Sequence, residues 1–256
     1  MRALAVAAVP ALLLVTTACG GSATASLKMR NDTAIARLGA LQDAATSGGA
    51  GDAAYVTPAV LGIKLVAVYI AEDVDPVTQN NRGNTAMIWL NGECADDIEH
   101  CGPASTMQRV ITTFFDFAQG TAAVNAALNG QGRKVEPGTY RYARVEFCKY
   151  GPGDQPNVRW QAGTMAAARG FTWGTCAVTS QPFASPLQLA DGDSVEVTLA
   201  YDLAKVAMEG APPAGTGPGQ LVDGTGAARW FSDCVDHDGL RTCIDWPEFT
   251  PSAQKR

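Results

Sequence analysis

From residue 55 onward, short apolar segments alternate with polar turns, which is typical of a chain folded mainly into β-strands. Residues 60–70 are almost wholly apolar and rich in branched side chains, so they predict one strand covered on both faces. Residues 85–90 and 110–117 predict two further strands. Residues 72–84 predict a long turn region.

Two later segments, residues 141–147 and 195–201, alternate between mainly apolar and mainly polar side chains, which is the period of half-buried strands. Residues 121–128 contain enough alanine and leucine for a short helix that ends at Asn129-Gly130. We therefore expect a mainly β fold, an antiparallel β-sandwich or barrel-like domain with one or two short helices and disulfide-stapled loops.

Changes in composition divide the chain into five parts. In order, we expect a signal peptide at 1–18, a tether with a short helix at 19–54, the β-sandwich domain at 55–210, a Gly/Pro-rich loop at 211–226, and a Cys/Trp/Asp-rich tail packed on the main domain at 227–256. The helix in the tether is suggested by Ile35, Leu38 and Leu41, which recur at helical spacing.

The first residues have the features of a secretory signal. Arg2 is followed by an uncharged, mostly apolar run over residues 3–15 and then by small residues. The run is shorter than the roughly 20 residues that a membrane-spanning helix needs. We therefore expect this segment to be cleaved off rather than kept as an anchor.

The sequence Thr16-Thr17-Ala18-Cys19 at the end of this segment resembles the lipobox of bacterial lipoproteins. The resemblance implies that Cys19 receives a diacylglycerol, that cleavage occurs just before it, and that its new amino group is acylated. Several acyl chains on one residue anchor a protein stably to a membrane. Gly20 stands where an inner-membrane retention signal has aspartate, so the resemblance favours the outer membrane in a cell that has one.

A second resemblance concerns the domain. Phe114-Phe115-Asp116-Phe117 leads through the short helix to Val135-Glu136-Pro137-Gly138-Thr139-Tyr140 and the first alternating strand. This stretch resembles uncharacterised envelope lipoproteins whose β-sandwich domain enters a core strand through a Pro/Ala-Gly-x-Tyr turn. The resemblance implies a fold of that kind and supplies no activity.

The charge of the chain limits its partners. The formal net charge is −6, and cleavage of the signal would remove Arg2 and leave −7. Nucleic acid is excluded as a partner, because binding to phosphate needs a concentrated basic face. Anionic lipid headgroups also repel an acidic protein, so we expect the lipid on Cys19 to be the link to the membrane.

Assigning Cys19 to the lipid leaves an even number of cysteines, as a disulfide framework requires. Export to an oxidising compartment favours three disulfides. The sequence alone leaves their connectivity open. Our preferred pairing is sequential: Cys94 with Cys101, Cys148 with Cys176, and Cys234 with Cys243.

Residues 233–239 form a candidate calcium loop. Asp233, Asp236 and Asp238 precede Gly239, and calcium is bound by carboxylate oxygens from such loops. The spacing departs from the EF-hand, and the alternative is a loop whose aspartates bond to its own backbone. His237 beside these carboxylates offers a transition-metal alternative. No other cofactor is expected.

The tryptophans divide by their context. Trp89 and Trp173 lie in apolar runs, which predicts core positions. Trp160 and Trp246 lie beside a loop and a proline, so we interpret them as exposed candidates for contact with a glycan or a protein.

Catalytic residues are harder to find. Hydrolysis by serine or cysteine needs a histidine as base, and His100 and His237 both lie close to cysteines. We expect a non-catalytic, lipid-anchored envelope protein that binds a protein, glycan or ion through surface loops. The alternative is an envelope hydrolase that uses carboxylates of the acidic loops.

Overall fold

The computed structural model describes residues 21–33, 53–94, 111–148, 156–172, 176–213, 217–222 and 226–256. In these ranges the chain is mainly β, which confirms the expected fold class. The strands are β1 (Ala23–Asn31), β2 (Ala54–Val56), β3 (Pro58–Ile63), β4 (Leu65–Val74), β5 (Asn81–Leu90), β6 (Phe115–Asp116), β7 (Arg133–Val135), β8 (Gly138–Cys148), β9 (Val158–Ala162), β10 (Arg169–Phe171), β11 (Cys176–Leu189), β12 (Ser194–Tyr201), β13 (Ala207–Gly210), β14 (Gln220–Val222), β15 (Ala228–Trp230), β16 (Asp233–His237), β17 (Leu240–Ile244) and β18 (Phe249–Lys255). The described helices are α1 (Thr121–Leu128) and a 3-10 turn (Gly92–Cys94).

The strands form four four-stranded sheets and one hairpin, β14-β15. Sheet I has the order β18-β12-β1-β7, sheet II β11-β8-β4-β5, sheet III β10-β9-β3-β6, and sheet IV β16-β17-β13-β2. Among the described strand pairs, β1 and β12 run parallel and the others run antiparallel. The main core collects the inward faces of sheets I, II and III, including Met29, Ile70, Phe147 and Trp160.

Strand β1 lies inside the segment that we expected to be a tether. Ala23, Ala25, Leu27 and Met29 are buried, and the residues between them are more exposed. The tether prediction is therefore wrong for residues 23–31, where the apolar face begins with small alanines that gave a weak signal. The signal peptide, Cys19 and the expected helix at 35–41 lie outside the described residues.

The apolar run at 60–70 is divided between two sheets, so the prediction of one continuous strand is wrong. β3 belongs to sheet III and β4 to sheet II, and Lys64 lies between them with its N–H donating to the Asn157 carbonyl at 3.0 Å. Both strands contribute to the buried core, so the hydrophobic pattern does not show the change of sheet.

Other boundaries also differ from expectation. β4 extends to Val74 and β5 begins at Asn81, so the turn expected at 72–84 is much shorter. Within 110–117, the described strand residues are Phe115 and Asp116. The helix at Thr121–Leu128 is confirmed, and Asn129 ends it in the left-handed conformation.

The C-terminal part is more closely integrated than a packed tail. β18 pairs with β12 from Tyr201↔Phe249 to Val195↔Lys255 and forms one edge of sheet I. β14 lies within the segment expected to be a loop, which corrects that prediction at residues 220–222. Within the described ranges, no helix is long and apolar enough to cross a membrane.

Candidate functional site

A cleft of about 370 Å³ opens at one end of sheet I. The register of the sheet explains its position, because Asn31, Tyr201 and Phe249 lie side by side on β1, β12 and β18. The residues next to these three along the chain therefore meet at the same end. The lining is Asp32, Ala200, Tyr201, Asp202, Lys205, Val206, Arg229, Asp245, Trp246, Glu248 and Thr250.

Two of the four carboxylates that line the cleft already have partners. Asp32 accepts two hydrogen bonds from Arg30, at 2.6 and 2.9 Å, and these bonds hold the pKa of the carboxyl below its usual range. Asp245 accepts hydrogen bonds from the Ser232 hydroxyl and the Trp246 N–H, both at 2.9 Å. Arg229 lies 3.4 Å from Asp245, so the charge of this carboxylate is partly neutralised.

The other charged side chains of the cleft are available for a ligand. Asp202 accepts a hydrogen bond from the Ala204 N–H at 2.8 Å and forms no ion pair with another described residue. Lys205 and Glu248 are exposed and likewise lack an ion pair within the described part of the chain. The cleft therefore presents two carboxylates and one ammonium group that can exchange water for a ligand's polar groups.

Two aromatic residues line the cleft, and the indole of Trp246 is the more exposed of them, because Tyr201 is buried. The indole is half-buried and stacks on Phe147, with ring centroids 4.0 Å apart and an angle of 20° between the planes. Phe147 is a core residue of β8, so the stacking fixes the orientation of the indole. Trp246 is predicted to be exposed, whereas the structure shows it half-buried against the core and with part of its surface among the polar residues of the cleft.

The remaining tryptophans agree with expectation only in part. Trp89 is buried, as predicted, and Trp173 lies outside the described residues. Trp160 is fully buried in β9, so the prediction that it is exposed is wrong; its Nε1–H donates to Asp233 at 2.8 Å. Trp230 is 67% exposed, and its position on the short hairpin β14-β15 gave no distinctive sequence pattern.

The predicted calcium loop at 233–239 is a β-hairpin, which corrects that interpretation. β16 and β17 pair directly, and Asp238 and Gly239 form the two-residue turn with positive φ angles of 46° and 78°. Along β16, Asp233 and Asp236 are three residues apart and therefore point to opposite faces.

Two of the three carboxylates of this hairpin have other partners. Asp233 lies 3.0 Å from Arg169, and Asp236 binds Arg241 through both oxygens. Among the described residues, no group of three histidine, cysteine or acidic side chains is arranged to hold a metal ion. Asp233 and Asp236 are thus held by arginines, and Asp238 lies exposed in the turn between the two strands.

The expected disulfide between Cys234 and Cys243 is present and crosses the β16-β17 hairpin. Cys94 is disulfide-bonded, while its expected partner Cys101 lies outside the described residues. Cys148 and Cys176 lie directly opposite each other in the register of β8 and β11.

His237 belongs to a partly buried hydrogen-bond chain. Its Nε2 lies 2.7 Å from the Thr242 hydroxyl, which also lies 2.7 Å from Glu209. Thr242 is fully buried, so a substrate cannot reach its hydroxyl in this structure. The chain of contacts joins β13, β16 and β17, and we interpret it as structural. His100 lies outside the described residues.

Comparisons with protein-family models, curated proteins and solved structures find no match to this chain. The function is therefore inferred from the sequence and the cleft.

Proposed function

We propose that this protein is a lipid-anchored protein of the bacterial cell envelope that binds a ligand in the cleft without converting it. The anchor is supported by Thr16-Thr17-Ala18-Cys19, and Gly20 favours the outer membrane where one exists. The observation that carries the binding function is the cleft, where Trp246 lies among the available Asp202, Lys205 and Glu248.

The chemistry of the cleft favours a short saccharide. Sugar hydroxyls donate hydrogen bonds to carboxylates and accept them from an ammonium group, while an indole provides apolar contact for the sugar ring. The cleft volume of about 370 Å³ falls within the usual range for small-ligand sites. Recognition of an envelope glycan by this cleft matches both its polarity and the proposed location.

Binding can be measured with the lipidated protein in a detergent that has no sugar headgroup. We would titrate it with disaccharides of neutral hexoses and of N-acetylated amino sugars and follow tryptophan fluorescence and heat. Glu248→Gln and Asp202→Asn should each weaken binding about tenfold, because each alters one charge-assisted hydrogen bond.

Asp191→Asn provides the matched control, since Asp191 is an exposed aspartate beyond the other end of β12. Its affinity should equal that of wild type. Binding of none of the disaccharides, or equal binding by all variants, would overturn the glycan assignment. So would binding of a basic peptide in place of any saccharide.

The anchor has a separate test in fractionated cells. Wild-type protein should extract with detergent from the membrane fraction and carry lipid by mass spectrometry, whereas Cys19→Ser should be unlipidated and released. If Cys19→Ser remains as membrane-bound as wild type, the proposed anchor is wrong.

A further inference from the structure

Only Gly20, Gly21 and Ser22 separate Cys19 from the first residue of β1. A fully extended chain spans at most about 3.6 Å per residue, so Ala23 lies within about 14 Å of Cys19. Ser22 is also fixed to the domain, because its carbonyl accepts a hydrogen bond from the Gly192 N–H at 3.2 Å. A lipid on Cys19 therefore has little freedom to move away from this end of sheet I.

The cleft lies at the opposite end of the same sheet. β1 and β12 run parallel from Thr24↔Ser194 to Asn31↔Tyr201, so both begin near Cys19 and finish at the cleft. A strand rises about 3.3 Å per residue, which places the two ends of β12 about 23 Å apart.

The end near Cys19, which we call the proximal end, carries both signs of charge. Its basic residues are Arg133, Lys134, Lys255 and Arg256, and its acidic residues are Glu136, Asp191, Asp193 and Glu196. Lys255 pairs with Asp193 at 2.6 Å, and Arg256 pairs with Glu196. These side chains balance, whereas the whole chain carries −6, so anionic headgroups would repel the proximal end less than the rest of the surface.

We propose that the proximal end rests against the lipid headgroups and that the cleft faces away from the membrane. This orientation depends on the proposed lipid anchor at Cys19. The cleft would then take a ligand from the side away from the membrane, such as a glycan beyond the headgroup layer, and not a lipid headgroup of the same leaflet.

The orientation can be measured with spin labels in the lipidated protein. Asp191→Cys and Asp202→Cys are matched, because both aspartates are exposed, flank β12 and lose the same charge. Each variant would be labelled and reconstituted into vesicles that contain a nickel-chelating lipid, whose paramagnetic headgroup enhances relaxation at short range. We expect a severalfold larger enhancement at position 191 than at position 202.

A second variant changes the reach of the anchor. Ten Gly/Ser residues inserted between Gly20 and Gly21 add an average span of about 17 Å and should reduce the enhancement at position 191 toward the value at position 202. Peptide mapping without reduction should find the Cys234–Cys243 disulfide retained in each variant.

The outcomes separate the two proposals. Equal enhancement at both positions, or a larger value at position 202, would overturn the orientation while leaving the anchor intact. A wild-type protein that carries no lipid and does not join the vesicles would overturn the anchor and, with it, the orientation. An enhancement at position 191 that ignores the inserted linker would also contradict the proposal.

Discussion

The side-chain amide of Asn125 forms two hydrogen bonds with the backbone of Met29. The Met29 N–H donates to Oδ1 at 2.8 Å, and Nδ2 donates to the Met29 carbonyl at 2.9 Å. β7 pairs with β1 at residues 23–25, and among the described strands none pairs with the rest of that edge. Helix α1 therefore takes the place of a strand and protects the exposed edge of sheet I.

Asn125→Ala should destabilise the protein by about 2 to 4 kcal/mol, because both backbone groups of the buried Met29 lose their partner. Urea denaturation would measure the change. Gln131→Ala is the control, since the side chain of Gln131 is exposed and forms no described hydrogen bond. Equal stability of the two variants would show that water replaces the amide without cost.

Whether the sequence predicts an element depends on how local its signal is. Helix α1 follows from alanine and leucine before Asn129-Gly130, and β12 follows from alternating valine and leucine. β1 is supported instead by long-range pairing with residues more than 160 positions away. The hydrogen bonds between Asn125 and Met29 likewise depend on the tertiary fold. The alanines of β1 are weak strand formers, so composition favoured a tether.

The candidate site shows the same limit. Trp246 could be singled out because a proline follows it, but Asp32, Asp202 and Glu248 lie in three distant parts of the sequence. They meet because β1 and β12 end, and the antiparallel β18 begins, at the same end of sheet I. The acidic segment at 233–239 gave the opposite error. Its aspartates are close along the chain, but the alternation of a strand places Asp233 and Asp236 on opposite faces.

The Cys234–Cys243 disulfide should contribute about 2 to 3 kcal/mol, because it restricts a short segment of the unfolded chain. Replacing both cysteines with serine should lower the urea midpoint by the corresponding amount. Treatment of wild type with a reductant that opens this bond should give a similar shift, while the double variant should change less under the same treatment. A double variant as stable as oxidised wild type would contradict the assignment.

Glu146 should make stability depend on pH. Its side chain is substantially buried in β8, and burial raises the pKa of its carboxyl more than the Tyr69 hydrogen bond and the Arg144 charge lower it. The folded state therefore holds the proton more tightly than the unfolded chain. This contribution is fully present below the ordinary glutamate pKa and is lost as pH rises through the raised value.

Glu146→Gln removes this ionisation while keeping an acceptor for Tyr69. The stability of wild type minus that of Glu146→Gln should be largest in acid and should fall as pH rises above about 4.5. Melting temperatures of both proteins across this range provide the measurement. A wild type that gains on Glu146→Gln with rising pH would contradict the prediction.

Asp236 and Asp238 distinguish a structural hairpin from a calcium site. Asp236 accepts hydrogen bonds from Arg241 at 2.6 and 2.9 Å, and Arg241 also donates to the Gly217 and Gln220 carbonyls at 3.1 Å. Asp236→Asn should therefore cost about 1 kcal/mol, an amount limited because the Asp236 side chain is 58% exposed. Asp238→Asn should be nearly neutral, because asparagine readily adopts the positive φ of this turn.

Calcium should not change these results, since the carboxylate of Asp236 is already bonded to Arg241. Melting temperatures of wild type and both variants should be the same in millimolar calcium and in chelator. Calcium that binds only the folded state must raise the free energy of unfolding by mass action. A free calcium concentration one hundred times the dissociation constant would add about 2.7 kcal/mol. A calcium-dependent rise in wild type that both asparagine variants abolish would therefore show that the hairpin rearranges to hold the ion.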